Sequence, residues 1–369
     1  MNKSQNRQEG GTRMGRHHTA VLGASGLVAQ RMQQRLANHP WFRLSAVVGS
    51  KRTAGASLDS IPWGLEQDRP QLPDLEVLDA DDDNLITHLK NKGITVAFSC
   101  VPSEVADPLE RNLALAGIAV FSNSSAFRRC DGVPLVISDI NPGHLADFGS
   151  KGYRLACATN CTLIPLAVPT AALNHAFPIT NVRMRSEQAL SGAGYGLLQS
   201  QSALEGNHPS EIPGEAEKTT AELLHVLCAD FGVEVECRRV TRMNGHQIFA
   251  QVTFAESVTL EEVNEALDGH NFTQAILECP SAPLRSIQRV VSIDPEAHLW
   301  GNGVDFLSDP DPTHDLKAGM SVVMGPVRMV NSTTIEFSAY SHNTIRGAAG
   351  GTMLLAEQAY IEQRLPKQQ

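Results

Sequence analysis

The stretch "HTAVLGASGLVAQRMQQRL", His18–Leu36, is the one on which the fold turns. A short apolar run, Ala20 to Leu22, meets the glycines Gly23 and Gly26, and Val28, Met32 and Leu36 then recur four apart on one helical face. Strand, tight glycine turn and helix start together make a phosphate cradle, because backbone N–H groups and the helix dipole converge on one point. Its lining residues are Gly23, Ser25, Gly26, Leu27 and Val28. The spacing is GxxG rather than GxGxxG, which an ordinary strand–helix turn also shows, so the neighbouring segments carry the argument.

Those segments alternate. "RLSAVVGS", "ITVAFSCVP" and "IAVFSNSSAF" read as strands, and "EVADPLERNLALAG" as an intervening helix. Alternation of this kind implies a parallel, doubly wound sheet. Where an NAD-binding unit ends its second strand on an acidic residue for the ribose hydroxyl, this chain has "VVGSKRTAG". Ser50, Lys51, Arg52 and Thr53 offer hydroxyls and two cations there, which suits a 2′-phosphate and points to NADP; a solvated basic turn is the plainer alternative.

The rest of the composition narrows the classes. The 369 residues are 42% hydrophobic, 19% charged and 5% aromatic, enough apolar material for two domains. A net charge of −10 disfavours nucleic acid and anionic membranes as partners. No apolar run has the length to cross a bilayer. Residues 1–16 read as a polar, mobile tail without the apolar core of a secretory signal, and His17 and His18 as tail residues rather than metal ligands. The seven cysteines form no CxxC pair, so neither a disulfide framework nor a zinc site is expected, and a reducing cytoplasm fits them.

Five features follow in the second half: "SSAFRR" with Arg128, "TNCT" with Cys161, "SEQALSGAGYG" with Gln188, "PGEAEKT" with Glu215 and Lys218, and "CRRVTRMNGHQIF" with Arg239 and His246. Singly, each is as well read as core cysteine, loop histidine or solvated helix start. Together they supply a thiol nucleophile, a histidine to partner it, and arginines to hold carboxylate and phosphate. With NADP in the first half, that set suits reduction of an activated acyl group through a thioester.

The chain resembles the aspartate-β-semialdehyde dehydrogenase family from about His18 to Tyr360, through "GASGLVAQ", "NHPWF", "SNSSAFR", "NCT", "EQALSGAGYG", "GEAEK", "RRV" ahead of "GH", and "HNTIRGAAGG". The resemblance implies Cys161 as nucleophile, His246 as acid/base and Gln188 as orienting residue. It implies Arg239 on the substrate carboxylate and Glu215 on its amino group. Arg128 and Lys218 would hold the phosphate, with Asn123 and Asn160 in support. Ser191 and Gly192 would approach the cofactor, and Asn343 would lie near the nicotinamide. No metal is implied.

The implied fold is α/β: a Rossmann-type NADP-binding domain over 17–158, completed by 343–369, and an α+β catalytic and dimerisation domain over 159–342. The implied assembly is a homodimer or homotetramer. The implied reaction is NADPH-dependent conversion of L-aspartyl-4-phosphate to L-aspartate 4-semialdehyde. A reductase for an acyl-CoA or another acyl phosphate is the near alternative, and a non-catalytic NADP sensor the remote one.

Some positions depart from the family pattern. Thr159 stands where the family has Pro, "RVTR" adds Arg242 and with it room for a more anionic substrate, and "SDPDPTHD" lacks two basic residues. Pro165 and Pro169 imply that the helix after the cysteine is kinked or starts late.

Overall fold

The computed structural model describes residues 15–368; most of the segment read as a tail, residues 1–14, lies outside the described residues. The first half runs β1 (His17–Leu22), α1 (Leu27–Leu36), β2 (Phe42–Gly49), β3 (Val77–Asp79), α2 (Leu85–Asn91), β4 (Val96–Ser99), α3 (Ser103–Leu115), β5 (Ala119–Ser122) and β6 (Leu155–Cys157). All its strand pairs are parallel, and the strand order is β3-β2-β1-β4-β5-β6. That order reverses direction between β1 and β4, the place where doubly wound sheets open a ligand crevice at the carboxyl ends of their strands. Strands β4 and β5 are buried along their whole length, as a sheet covered on both faces requires.

One reading is corrected here. His17 and His18 are not tail residues: they open β1, pairing with Phe42 and Arg43 of β2. His17 is buried against Thr95 Oγ1 at 2.9 Å, and His18 meets Ser45 Oγ at 2.9 Å. The strand outruns its apolar core because both rings find hydroxyl partners.

The second half builds a mixed sheet. Its elements are α4 (Ile164–Ala176), β7 (Ile179–Gln188), α5 (Tyr195–Leu198), α6 (Gln201–Leu204), α7 (Glu215–Leu227), β8 (Gly232–Arg239), β9 (His246–Phe254), α8 (Leu260–Gly269), α9 (Gln274–Leu277), β10 (Ile287–Arg289), β11 (Val322–Met324), β12 (Arg328–Asn331) and β13 (Thr334–Ser341). The order is β10-β11-β13-β9-β7-β8, with β12 paired to β13. One face of β7 and β9, carrying Val182, Met184, Ile248, Ala250 and Val252, is buried in the core with α4 and α7. Helix α4 starts three residues after Cys161, so Pro165 falls in the first turn, where its missing N–H costs nothing; Pro169 lies within the helix.

A π-helical turn, Ile345–Ala349, leads into α10 (Gly350–Ile361), which contacts α1 and β5 of the first half and α9 of the second. Met353, Leu355, Ala356 and Ala359 pack with the first sheet, while Leu354 packs with Phe272, Ile276 and Trp300. Glu357, fully buried on this helix, accepts hydrogen bonds from His39 Nε2 at 2.8 Å, Ser281 N at 2.9 Å and Ser281 Oγ at 2.6 Å. One carboxylate thus ties the start of β2 to the segment after α9. Removing one side of a buried polar pair strands its partners without water. Glu357→Ala should therefore cost about 3–5 kcal/mol of stability, read as a lower midpoint in urea unfolding with an unchanged slope.

Candidate active site

Cys161 sits where β6 leaves the first sheet and α4 enters the second half. Asn160 Oδ1 accepts the Leu163 N–H at 2.8 Å, which shapes the turn that presents the thiol. Behind the cysteine there is no room for a side chain: a Cβ on Gly347 would lie 2.6 Å from Cys161 Cβ and 2.9 Å from its Cα. In front, His246 Nε2 lies 3.2 Å from Sγ. His246 opens β9, is fully buried, and receives the Ala189 backbone N–H on Nδ1 at 3.1 Å.

The histidine is fixed from three sides. Leu190 N bonds to Arg242 O at 2.8 Å and Ser191 N to Met243 O at 3.1 Å, which joins the loop after β7 to the loop before β9. Asn343 Oδ1 accepts the Gly245 N–H at 2.7 Å, and its Nδ2 donates to Ser191 Oγ at 2.9 Å. Gly192 lies against the ring, where a Cβ would come within 3.0 Å of His246 Cε1 and 3.1 Å of Arg239 Nη1. Arg239, half-buried at the end of β8, donates to Ala189 O at 2.9 Å. Ser191, Gly192, Asn343, Arg239, His246 and Cys161 therefore form one contiguous group.

Burial pushes the Cys161 thiol up to about 12; Glu215 adds to the rise, while Arg128 and Arg239 oppose it. Burial likewise pulls His246 down to about 3, helped by Arg239 and Arg242.

Helix α7 serves the site from the side. Glu215, its first residue, accepts from Thr162 Oγ1 at 3.2 Å. Two turns later Glu222, buried, accepts from Arg128 at 3.0 Å and from the Asn160 N–H at 2.7 Å. Sequence reasoning missed Glu222, although its spacing of seven from Glu215 puts both on one helix face. Arg128 also donates to Asn123 O at 2.7 Å. Asn123 spends its own side chain on Ser99 O at 2.9 Å and Thr352 Oγ1 at 2.7 Å. Arg128 Nε and Asn160 Nδ2 are buried donors without a partner.

Two further residues make no side-chain hydrogen bond to the Cys161–His246 pair. Lys218 is exposed. Gln188 is buried at the end of β7, with its amide 3.4 Å from Ser186 Oγ. Arg242 is held by Gln247 at 3.4 Å and Glu187 at 3.6 Å, across the ring of Tyr340. Its charge is met by a neighbouring carboxylate, which weakens the case for a more anionic substrate.

The residues at the β1–α1 turn fit a dinucleotide phosphate. Gly23 has φ +106°, in the region that glycine alone enters freely, and a Cβ there would meet the Cys100 carbonyl at 3.2 Å. Gly26 caps α1 in an extended conformation, leaving the first helical N–H groups at Leu27 and Val28 unused within the helix. Beside them β2 ends at Gly49, followed by Ser50 and Arg52, both exposed, and Thr53, whose hydroxyl donates to Ser50 O. Lys51 reaches Asp81 at 3.6 Å. Tyr195, just after the Ser191–Gly194 run, donates to Gln30 Oε1 of α1 at 2.5 Å and joins the two halves next to this turn.

The semialdehyde dehydrogenase NAD-binding domain family matches residues 18–148. The chain is 33% identical to aspartate-semialdehyde dehydrogenase of Archaeoglobus fulgidus, an alignment that covers 93% of this chain and 97% of that protein. It is 27% identical to the NADP malonyl-CoA reductase of Metallosphaera sedula, covering 94% and 98% respectively. Among solved structures, the aspartate semialdehyde dehydrogenase of Candida albicans with NADP superposes with a TM-score of 0.76 at 27% identity, covering 95% of this chain and all of that one.

Gly347 offers a direct test of the site's geometry. Gly347→Ala should displace Cys161 and lower turnover by about 100-fold, the scale of a 1 Å misplacement. Far-ultraviolet circular dichroism should stay unchanged while steady-state assays record the loss.

Proposed function

The chain belongs to the aspartate-semialdehyde dehydrogenase family, and from that premise we propose that Cys161 carries the acyl group of its reaction as a thioester. The reaction is the NADPH-dependent reductive dephosphorylation of L-aspartyl-4-phosphate to L-aspartate 4-semialdehyde, and the cofactor is NADP. The observation that supports the cysteine's role is the 3.2 Å approach of Cys161 Sγ to a fully buried histidine beside Arg239.

The cofactor, when bound, supplies or accepts the hydride. Gly23, Ser25, Gly26, Leu27 and Val28 would hold its pyrophosphate, and Ser50, Arg52 and Thr53 its 2′-phosphate. Ser191, Gly192 and Asn343 would face its nicotinamide end. Cys161 attacks the acyl carbon and His246 faces the oxygen that gains charge there. Arg239 holds the substrate carboxylate through its planar fork and Glu215 meets the amino group. Arg128, with its unpaired Nε, and Asn160, with its unpaired Nδ2, receive the phosphate, supported by Lys218 and Asn123. Gln188 orients the acyl group.

We assign residues 17–158 with 343–369 to the cofactor domain and 159–342 to the catalytic and dimerisation domain. The outer face of the second sheet, with Arg185 stacked on the half-exposed Phe249, suits a second copy of this chain in a homodimer or homotetramer. No described helix is long and apolar enough to cross a membrane, and seven free cysteines suit a reducing cytoplasm.

The likeness to a malonyl-CoA reductase favours one second reading, a reductase of acyl-CoA thioesters with the same cysteine. Phosphate-dependent NADP reduction with L-aspartate semialdehyde separates the two. That activity should exceed any with malonyl-CoA and NADPH, and Cys161→Ala should abolish it while NADP still binds. Turnover in Cys161→Ala, or activity on malonyl-CoA alone, would reject the assignment.

Cofactor choice has its own test. A charge-assisted hydrogen bond is worth about 1.5–3 kcal/mol, or roughly 10- to 150-fold in binding. Arg52→Ala should narrow the preference for NADP over NAD by that factor, read as the ratio of the two kcat/KM values.

A further inference from the structure

We propose that a second cavity, bordered by the last turns of α4, α7 and α8, binds a small molecule that carries an ammonium group on a short apolar chain. The cavity measures about 600 Å³ and shares no lining residue with the Cys161 group. Asn174 and His175 of α4, Val226 and Leu227 of α7, and Ala266 and Gly269 of α8 line it. Three helix C-termini therefore converge on one space. Each leaves its last carbonyls without an intrahelical donor and carries roughly half a negative charge. Pro178, two residues beyond α4, has no N–H to return to that helix.

The segment from Ser138 to Pro142 closes another side, and Asp139 is buried there. Asp139 accepts hydrogen bonds from Ser286 Oγ and from Arg346, whose guanidinium lies over the Phe272 ring. Beyond Asp139, the titratable groups that line the cavity are His175 and His270. An entering anion would meet three helix C-termini and a carboxylate, whereas a cation is favoured by all of them. His270 Nε2 is buried and has no hydrogen-bond partner among the described residues. Burial pulls His270 below the usual histidine range; Asp139 opposes that shift, while Arg346 and His175 add to it. An uncharged imidazole with its proton on Nδ1 presents Nε2 as an acceptor, which an ammonium N–H can fill. Ile140, Pro142, Ala172 and Leu227 supply apolar surface for the attached chain.

The cavity reaches the cysteine through the backbone. Arg346, bound to Asp139, precedes Gly347, the residue packed against Cys161 Cβ. An ammonium group beside Asp139 competes with Arg346 for the carboxylate, so occupancy relaxes the turn that backs the thiol.

The probe is n-butylammonium chloride, titrated into the full-length protein at constant ionic strength beside n-butanol and sodium n-butyrate. A ligand of the native state raises the melting temperature in proportion to its occupancy. Butylammonium should give a saturable rise, and butanol and butyrate none. His270→Leu removes the acceptor, and Asn174→Lys fills the space with an ammonium group of its own. Each should weaken butylammonium binding by roughly tenfold or more, the order of one hydrogen bond to a charged group. The absence of a saturable rise, an equal rise with butanol or butyrate, or a rise kept in both variants overturns the site.

The link to the cysteine is read by Cys161 alkylation with iodoacetamide, the modified peptide being followed by mass spectrometry. Saturating butylammonium should accelerate it several-fold in the unaltered protein, and not in His270→Leu at the same concentration. An unchanged rate at saturation overturns the link. Alkylation needs no turnover, so this outcome is independent of whether Cys161 carries a thioester.

Discussion

The buried carboxylate of Glu357 is the constraint on which the two halves depend. It sits on a helix enclosed by both, and it takes hydrogen bonds from His39 at the entry to the first sheet and from Ser281 beyond α9. Such a group is costly to bury and costlier to strand. The relative position of the sheets is thereby specified by direction, which apolar packing along α10 does not supply. Ten residues earlier, in the π-helical turn that leads into this helix, Gly347 presses against Cys161. Stability and catalysis therefore share one short stretch, Ile345–Glu357.

Within the site, charge is rationed by solvent exclusion. Burial raises the Cys161 thiol and lowers His246, while Arg128, Glu215, Glu222 and Arg239 lie around them and carry hydrogen bonds. Helix α7 delivers two carboxylates from one face, one to the turn after the cysteine and one to the arginine and backbone before it. Loss of Glu222 would free Arg128 and leave the Asn160 N–H unpaired, so this acid shapes the anion site proposed there. The polar donors left over, on Arg128 and Asn160, are suited to a ligand that brings its own negative charge.

Arg242 illustrates how context changes the meaning of a residue. In the sequence it is an added cation near the site. In the fold its guanidinium lies over Tyr340 and between Glu187 and Gln247. Its carbonyl, not its charge, makes the closest contact with the catalytic loop, through Leu190 N.

The sequence by itself determined the doubly wound first half, since apolar strands alternating with a glycine turn and helices admit few other layouts. The motifs around Cys161, Gln188, Arg239 and His246 likewise carried the resemblance that implied the chemistry. What it could not determine were pairings across long separations. The polar positions of α1 lie off its Val28–Met32–Leu36 face, yet Gln30, Arg31, Gln34 and Arg35 are all buried. Arg31 bonds to Gln67 at 2.7 Å and Arg35 to Ser281 at 3.0 Å, partners 36 and 246 residues away. Glu222, Glu357 and Gly347 were silent for the same reason, because a carboxylate or a missing side chain acquires its role only from what folding brings against it. The setting of His246 is the sharpest case: its Nδ1 takes the N–H of Ala189, 57 residues away, and no side-chain pattern encodes that contact.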